Sequence, residues 1–348
     1  MRKLSLFNKG IFLINVVTAV CTFLAYILPF LAPTFFPFLS VLTLILPVFL
    51  VLNALFFIYW LIQFKRQMLL SGVVLILGIT FITKFYKFSS IDLPHEESDF
   101  VVMSYNVRLF NLFNWIPDTN VPNEIKSFIN EHNPDILCIQ EYSENVNINL
   151  RVYKHKYISM QGNQIKSGQA IFSKFKIINS GNLQFPNSDS SVIYADILNE
   201  KDTIRVYNMH LQSVKITPDV NEIQQNVDVI DQNKSKYIFK RIGQAFKKQQ
   251  LQSEIIKTHK ESCIYPIIIC GDMNNSAFSY VYRNVKGNLN DSFEEAGKGF
   301  GETYNFKYYP SRIDYILSDK SLQVKSFTNY SKFKNSDHYP IIARLSFK

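Results

Sequence analysis

Residues 265–275 read "YPIIICGDMNN". The run Ile267–Cys270 is short, β-branched and apolar without alternation. Such a run predicts a strand covered on both faces, as in sheets packed against each other or under helices. Asp272 and Asn274 stand where that strand ends, two polar residues after a stretch that is otherwise core.

The same sentence structure recurs outward from this point. Phe100–Tyr105, Ile136–Ile139, Gln169–Phe172, Ile204–Tyr207, Arg312–Leu317 and Tyr339–Leu345 are further short runs rich in β-branched and aromatic residues, and all read as strands. Asn123–His132, opening after Pro122, and a longer segment around 234–260 with Phe239, Ile242 and Phe246 read as helices. This order predicts a two-layer α/β or sandwich core with helices outside. Residues 214–235 are rich in Asn, Gln and Asp and are expected to form a loop.

Residues 1–88 are of another kind. Apolar runs over Gly10–Phe36, Leu39–Phe64 and Met68–Thr83 approach the ~20 residues that cross a bilayer, so about three transmembrane helices are expected. The first run is too long for a cleaved signal peptide and is expected to be retained. The polar stretch 89–99, with Pro94, reads as a linker, and residues 100–348 as the functional domain.

The formal charge of +9 loses its meaning as a nucleic-acid signal once it is located. Residues 1–87 hold seven basic residues (Arg2, Lys3, Lys9, Lys65, Arg66, Lys84, Lys87) and no acid, leaving 30 basic against 28 acidic beyond. The positive-inside rule then puts the N-terminus and the Lys65–Arg66 turn in the cytoplasm and the C-terminal domain outside a cytoplasmic membrane, although Lys84 and Lys87 oppose that placement. The four cysteines show no metal spacing and are expected to be buried thiols.

Chemistry-bearing residues cluster at the ends of the strands. "FVVMSYNVR" carries Asn106 and Arg108, "DILCIQEY" Glu141, "IRVYNMHLQ" Asn208 and His210, "SRIDYIL" Asp314, and "NSDHYP" Asp337 and His338, beside Asp272 and Asn274. Any one of these alone is ordinarily a turn residue or a satisfied imidazole. Together they supply hard oxygen ligands and imidazoles at one edge of a sheet, where ligand sites collect. Magnesium prefers one or two carboxylates plus waters and phosphate oxygens, whereas zinc would require more His or Cys than the pattern offers.

The ordered set "SYNVR", "IQEY", "NMHLQS", "GDMN", "RIDYIL" and "SDHYP" resembles the endonuclease/exonuclease/phosphatase superfamily over about 100–348. That resemblance implies a four-layered α/β (α+β) sandwich, two mixed β-sheets flanked by helices, and hydrolysis of phosphate esters by direct attack of water with Mg2+, for which Mn2+ can substitute. It makes Asn106, Glu141 and Asp337 metal ligands and His210, Asp272, Asn274, Asp314 and His338 catalytic. It makes Asn106, Arg108, Asn208 and Tyr304 substrate-binding, Tyr304 lying in "GETYNF". His210 resembles the deoxyribonuclease I and sphingomyelinase branch. Arg108 stands where some relatives carry an acid, which puts a second metal there in doubt; contact with phosphate and a surface salt bridge remain equal alternatives.

The expected partners are the bilayer and a phosphate ester, either nucleic acid or a phospholipid head group, with no obligate protein partner. The basic segment Lys234, Lys236, Lys240, Arg241, Lys247 and Lys248 is better read as a solvated outer helix than as a phosphate site. A membrane receptor or sensor that binds a phosphorylated ligand without turnover is the competing expectation. Against it, the apolar runs hold no charge in their cores, where transport paths usually show one.

Overall fold

The structure, a computed structural model, describes residues 4–146, 148–162, 166–186, 188, 190–214 and 232–348, with side chains within 232–239 excepted. Most of the Asn/Gln-rich stretch, Arg2, Lys3 and the side chains of Lys234, Lys236 and Phe239 therefore lie outside the described residues. The chain forms two compact units, one of Met1–Phe85, Val214–Gln250 and Ser276–Arg283, the other of Tyr86–Ser213, Leu251–Asn275 and Asn284–Lys348.

In the first unit the expectation of about three spans is corrected. One helix has the length and apolarity to cross a membrane, Leu6–Phe30, formed by α1 (Leu6–Ile27) and a 3-10 turn. The second apolar run is interrupted: residues Leu39–Thr43 form a 3-10 turn, and Pro47 confines α2 to Leu46–Ile62, 17 residues. The third run is bent by 65° between α3 (Met68–Leu77) and α4 (Ile79–Phe85), so the described residues hold at most two spans if that pair counts as one. The bend sits at Gly78, where a Cβ would lie 2.0 Å from the Tyr26 hydroxyl; that hydroxyl donates to the Val74 carbonyl at 3.0 Å.

The second unit holds two six-stranded sheets. One has the order β11-β12-β1-β2-β4-β3, the other β5-β6-β7-β8-β10-β9. The strands are β1 (Phe100–Asn106), β2 (Ile136–Tyr142), β3 (His155–Gln161), β4 (Ser167–Ser173), β5 (Lys176–Gln184), β6 (Ser191–Asn199), β7 (Asp202–His210), β8 (Ile267–Asp272), β9 (Asn290–Asp291), β10 (Asp314–Ser318), β11 (Leu322–Asn329) and β12 (Ile341–Phe347). Both sheets are mixed, with β1–β2 and β7–β8 parallel at the centres and antiparallel partners outside. The helices beyond residue 100 are α5 (Val121–His132), α6 (Gln232–Glu261), α7 (Tyr280–Lys286) and α8 (Ser292–Ala296), α6 up to Gln250 and α7 up to Arg283 belonging to the first unit.

Between the sheets lies a continuous core that includes Val102, Ile136, Cys138, Ile171, Ile193, Val206, Ile268, Cys270 and Ile341, each fully buried. Burying such side chains stabilises by about 1.5–3 kcal/mol apiece, which is why these runs show no polar alternation. All four cysteines are free thiols, Cys138 and Cys270 buried and Cys21 and Cys263 half-buried. The stretch expected as a linker is bonded onto this unit: Ile91 N–H donates to the Ala296 carbonyl at 3.2 Å, Leu93 N–H to the Lys325 carbonyl at 3.0 Å, and Arg344 pairs with Asp92 and Asp99 at 2.8 Å each.

Candidate active site

Asp272 is the hub. Its side chain is 1 % exposed; Oδ1 accepts the Asn274 N–H at 2.7 Å, and Oδ2 accepts Asn274 Nδ2 at 3.0 Å and Asn106 Nδ2 at 3.2 Å. The local sequence explains the placement. Gly271 has φ +123°, and a Cβ there would sit 2.1 Å from the Met209 carbonyl oxygen, so only glycine lets β8 lie this close to β7. Asn274, at φ +51°, turns back so that its amide brackets the carboxylate and also reaches the Leu211 carbonyl at 3.0 Å.

Glu141 enters from β2 with φ +49°, at a register irregularity between Ile139 and Tyr142 in the β2–β4 pairing. A left-handed glutamate at a bulge is strained, and the bulge re-aims the side chain. Its Oε1 accepts Asn106 Nδ2 at 3.3 Å, and the side chain is 30 % exposed. His210, at the end of β7, places Nε2 3.6 Å from Glu141 Oε1 and 3.7 Å from Asp272 Oδ2.

His338 and Asp314 form a buried dyad, with Nδ1 2.9 Å from Asp314 Oδ2. That bond commits Nδ1–H to the carboxylate and turns Nε2 toward Asp272 Oδ2, 3.7 Å away. The two groups titrate far from their ordinary values. Burial would lower His338, but Asp314, Asp272 and Asp337 outweigh it and raise the imidazole to about 10. Burial pushes Asp272 up to about 6, with Asp314 adding to the rise while His338, His210 and the Asn274 N–H oppose it.

The structure thus joins Asn106, Glu141, His210, Asp272, Asn274, Asp314 and His338 in one connected set. Tyr304 packs its ring 4.8 Å from His338 at 57°. Arg108 and Asp337 stand at the rim, Nε to Oδ2 at 3.5 Å, both about one-third exposed. Asn208 is the exception. It is fully buried between the sheets, donating to the Ile139 and Ala170 carbonyls at 2.8 and 3.0 Å and accepting from Gln140 Nε2 at 2.7 Å. Its amide is spent on joining the sheets, so the expectation that it meets substrate is corrected.

Two hydroxyls to which the sequence assigns no role hold the frame of the site. Thr303 Oγ1 accepts the N–H groups of Ile313 and Asp314 at 3.0 and 3.1 Å and so sets the start of β10. Ser336 Oγ donates to the Asn106 carbonyl at 2.9 Å and fastens the 335–338 turn to β1. The only available signal was adjacency to Asp337 and to Tyr304 in the quoted motifs.

Among the described residues one group of acids and histidine could hold a metal ion. Asp272, Asp314 and His338 offer atoms within 4.8 Å of one another, and Asp314 Oδ1 is buried with no hydrogen-bond partner. Yet His338 Nδ1 and both Asp272 oxygens are already bonded, and the three side chains are almost fully buried. Glu141 and Asp337, 30 % and 29 % exposed and tied to Asn106 through its amide and through Ser336, leave room for the waters that Mg2+ retains. Glu141 thus offers a partly exposed carboxylate oxygen of the kind such an ion takes.

A model described as "Endonuclease/Exonuclease/phosphatase family" matches residues 103–338, and one described as "Domain of unknown function (DUF8431)" matches residues 8–85. No curated protein matches the chain. Among solved structures, the catalytic domain of human Nocturnin with bound sulfate is 18 % identical, with 74 % of this chain and 98 % of that one covered and a TM-score of 0.53. A family protein from Bacteroides vulgatus is 18 % identical over 72 % and 100 %, TM-score 0.53. D. rerio TDP2 complexed with single strand DNA product is 15 % identical over 72 % and 100 %, TM-score 0.52. At these identities the likeness is one of fold.

Proposed function

We propose, from the premise that the chain belongs to the endonuclease/exonuclease/phosphatase family, that it is a membrane-anchored, metal-dependent hydrolase of phosphodiester bonds. The observation that carries the reading is the pairing of Asp272 with His338. One buried group is pushed to about 6 and its neighbour to about 10, which assigns a base and a cationic donor at neutral pH. Asp272 accepts the proton of the attacking water. His338, charged and held by Asp314, donates from Nε2 to a non-bridging phosphate oxygen as charge develops there. Asn274 and Asn106 fix the Asp272 carboxylate, and His210 stands within reach of the leaving oxygen. Mg2+, or Mn2+ in its place, held through Glu141 with Asn106 and Asp337, supplies Lewis-acid charge when bound. Catalysis is otherwise a matter of positioning.

The anchor reading rests on the exterior of the first unit. Leu13, Ile14, Val17 and Val20 of α1 are each more than half exposed, while Asn15, Thr22, Asn53 and Ser71 are fully buried. Leu6–Phe30 is the span; with one span Lys65, Arg66, Lys84 and Lys87 share the side of the catalytic unit against Arg2, Lys3 and Lys9 at its N-terminal end, so the charge balance that placed this unit outside the membrane no longer holds. The substrate is a nucleic acid or a phospholipid head group.

The test is hydrolysis by the full-length protein, in detergent, of plasmid DNA, RNA, sphingomyelin, phosphatidylinositol phosphates and a chromogenic phosphodiester, with Mg2+ and with chelator. Metal-dependent turnover on one class is the expected result. A folded protein with no metal-dependent turnover on any of them would instead support a receptor that only binds a phosphorylated ligand.

A further inference from the structure

The loop joining β1 to α5, residues 107–120, takes no part in the reaction above, yet it is built to hold a shape. Arg108, Leu109, Phe110 and Asn111 have φ of +44°, +53°, +53° and +60°. Four consecutive non-glycine residues in the left-handed region are costly, on the order of 1 kcal/mol each, and persist only where neighbours over-determine them. Asn111 does so. It is 7 % exposed, its Nδ2 donates to the carbonyls of Ile116 at 2.8 Å and Asp118 at 3.2 Å, and its Oδ1 accepts the Ile116 N–H at 2.9 Å. Phe110 is buried edge-on against Tyr142, with centroids 5.5 Å apart.

This frame presents two large aromatic side chains to solvent. Phe113 is 49 % exposed and Trp115 42 %, their rings 5.1 Å apart at 67°. The Arg108 guanidinium lies 4.5 Å over the Trp115 ring, and its Nε is 3.5 Å from Asp337 Oδ2 at the rim of the site. We infer that Phe113 and Trp115, with Arg108, form a subsite for an uncharged planar ring one unit away from the scissile phosphate, the ring being a nucleobase of single-stranded nucleic acid.

The cation decides among ring-binding chemistries. An aromatic pair can cage a quaternary ammonium, but Arg108 already occupies that electrostatic role over Trp115 and would repel a choline head group. A neutral base flanked by phosphates meets the opposite situation, with π faces for the ring and a guanidinium for the phosphate. In a duplex the base faces are stacked inside, so the strand must be single. The inference rests on the phosphodiesterase reading and narrows its substrate.

The chain has two tryptophans, and Trp60 is fully buried, so the fluorescence difference between wild type and Trp115→Phe reports Trp115. Full-length protein in detergent, without divalent metal, is titrated with oligothymidylate, with an abasic oligomer of equal length, and with short-chain phosphatidylcholine. The expected result is saturable quenching of the Trp115 signal by oligothymidylate alone, with half-saturation raised at least about fivefold in Phe113→Ala. Equal quenching by the abasic oligomer, no quenching, or a blue shift produced by phosphatidylcholine alone would overturn the subsite. Hydrolysis of a base-free phosphodiester by the same preparation separates the two levels. Metal-dependent turnover without quenching removes the subsite and keeps the phosphodiesterase, whereas quenching without turnover does the reverse.

Discussion

In the first unit Asn15 donates from Nδ2 to Ser71 Oγ at 2.8 Å and accepts from Trp60 Nε1 at 3.0 Å, all deep inside, while isoleucines, leucines and valines of α1 face outward. In the second unit the isoleucines of β2, β6 and β8 are inside, and a group of buried polar residues gathers at strand ends around Asp272. The same chain thus sorts its residues in opposite senses. In water, removing apolar area is the driving force and interiors fill with Ile and Val. In lipid that force vanishes between helices, and close packing and side-chain hydrogen bonds must hold them. The sorting of the first unit is the one a lipid surrounding would produce, and it is what supports the anchor proposed above.

The largest effects belong to the second unit. His338→Ala removes a charged donor from a water-poor site and is expected to lower turnover of a chromogenic phosphodiester by about 10²–10³-fold. The pH profile supplies a finer mark. Asp272 must be ionised to accept a proton, so the rate falls as pH drops through about 6; His338 must be protonated to donate, so it falls again as pH rises through about 10. His338→Ala should erase the alkaline limb and move the acid one to higher pH, because the His338 charge holds the Asp272 carboxyl down. A profile unchanged by the substitution would deny His338 its role.

A charge on the outer face of α1 tests the other half of the comparison. Ile14, 56 % exposed, becomes costly to replace by arginine only if lipid surrounds it. Ile14→Arg is expected to disfavour insertion by about 2.5–3.5 kcal/mol near a helix centre, read as the glycosylation-scored inserted fraction of the Leu6–Phe30 segment. On a water-facing helix the same change would stay within about 0.5 kcal/mol, and that outcome would sink the anchor.

Much of this was legible in the sequence because two-sided burial leaves runs with no polar alternation. Each of the seven strands expected is present. Those passed over are β3, β5, β9 and β11, which lie at sheet edges and carry exposed polar residues such as Lys156 and Asn179, and β6, an inner strand whose apolar run is broken by Asp196, the ion-pair partner of Arg205. The apolar runs before residue 88 were read by composition alone, and composition does not register the break at Pro47 or the bend at Gly78. Asn208 misled for a geometric reason: it shares a face of β7 with His210, two residues on, but lies one pleat deeper between the sheets. Thr303 and Ser336 were silent because their partners arrive from other segments, in the case of Ser336 from 230 residues away.

Buried amides give the closest comparison of the two units. Asn208→Leu would leave Gln140 and the Ile139 and Ala170 carbonyls without their partner inside a dry inter-sheet core, a loss of about 1–3 kcal/mol read as a lower unfolding midpoint. Asn15→Leu makes the matching cut in the helical unit, unpairing Ser71 and Trp60. There the helices separated in lipid would themselves find polar partners, so interhelical hydrogen bonds contribute only about 0.6 kcal/mol on average and at most about 1.7. Asn15→Leu is therefore expected to shift the unfolding of the protein in lipid nanodiscs less than Asn208→Leu does, and to leave the pH profile of hydrolysis in place. If Asn15→Leu proved the more damaging, the first unit would be behaving as an aqueous core, and its outward leucines and valines would need some cover other than lipid.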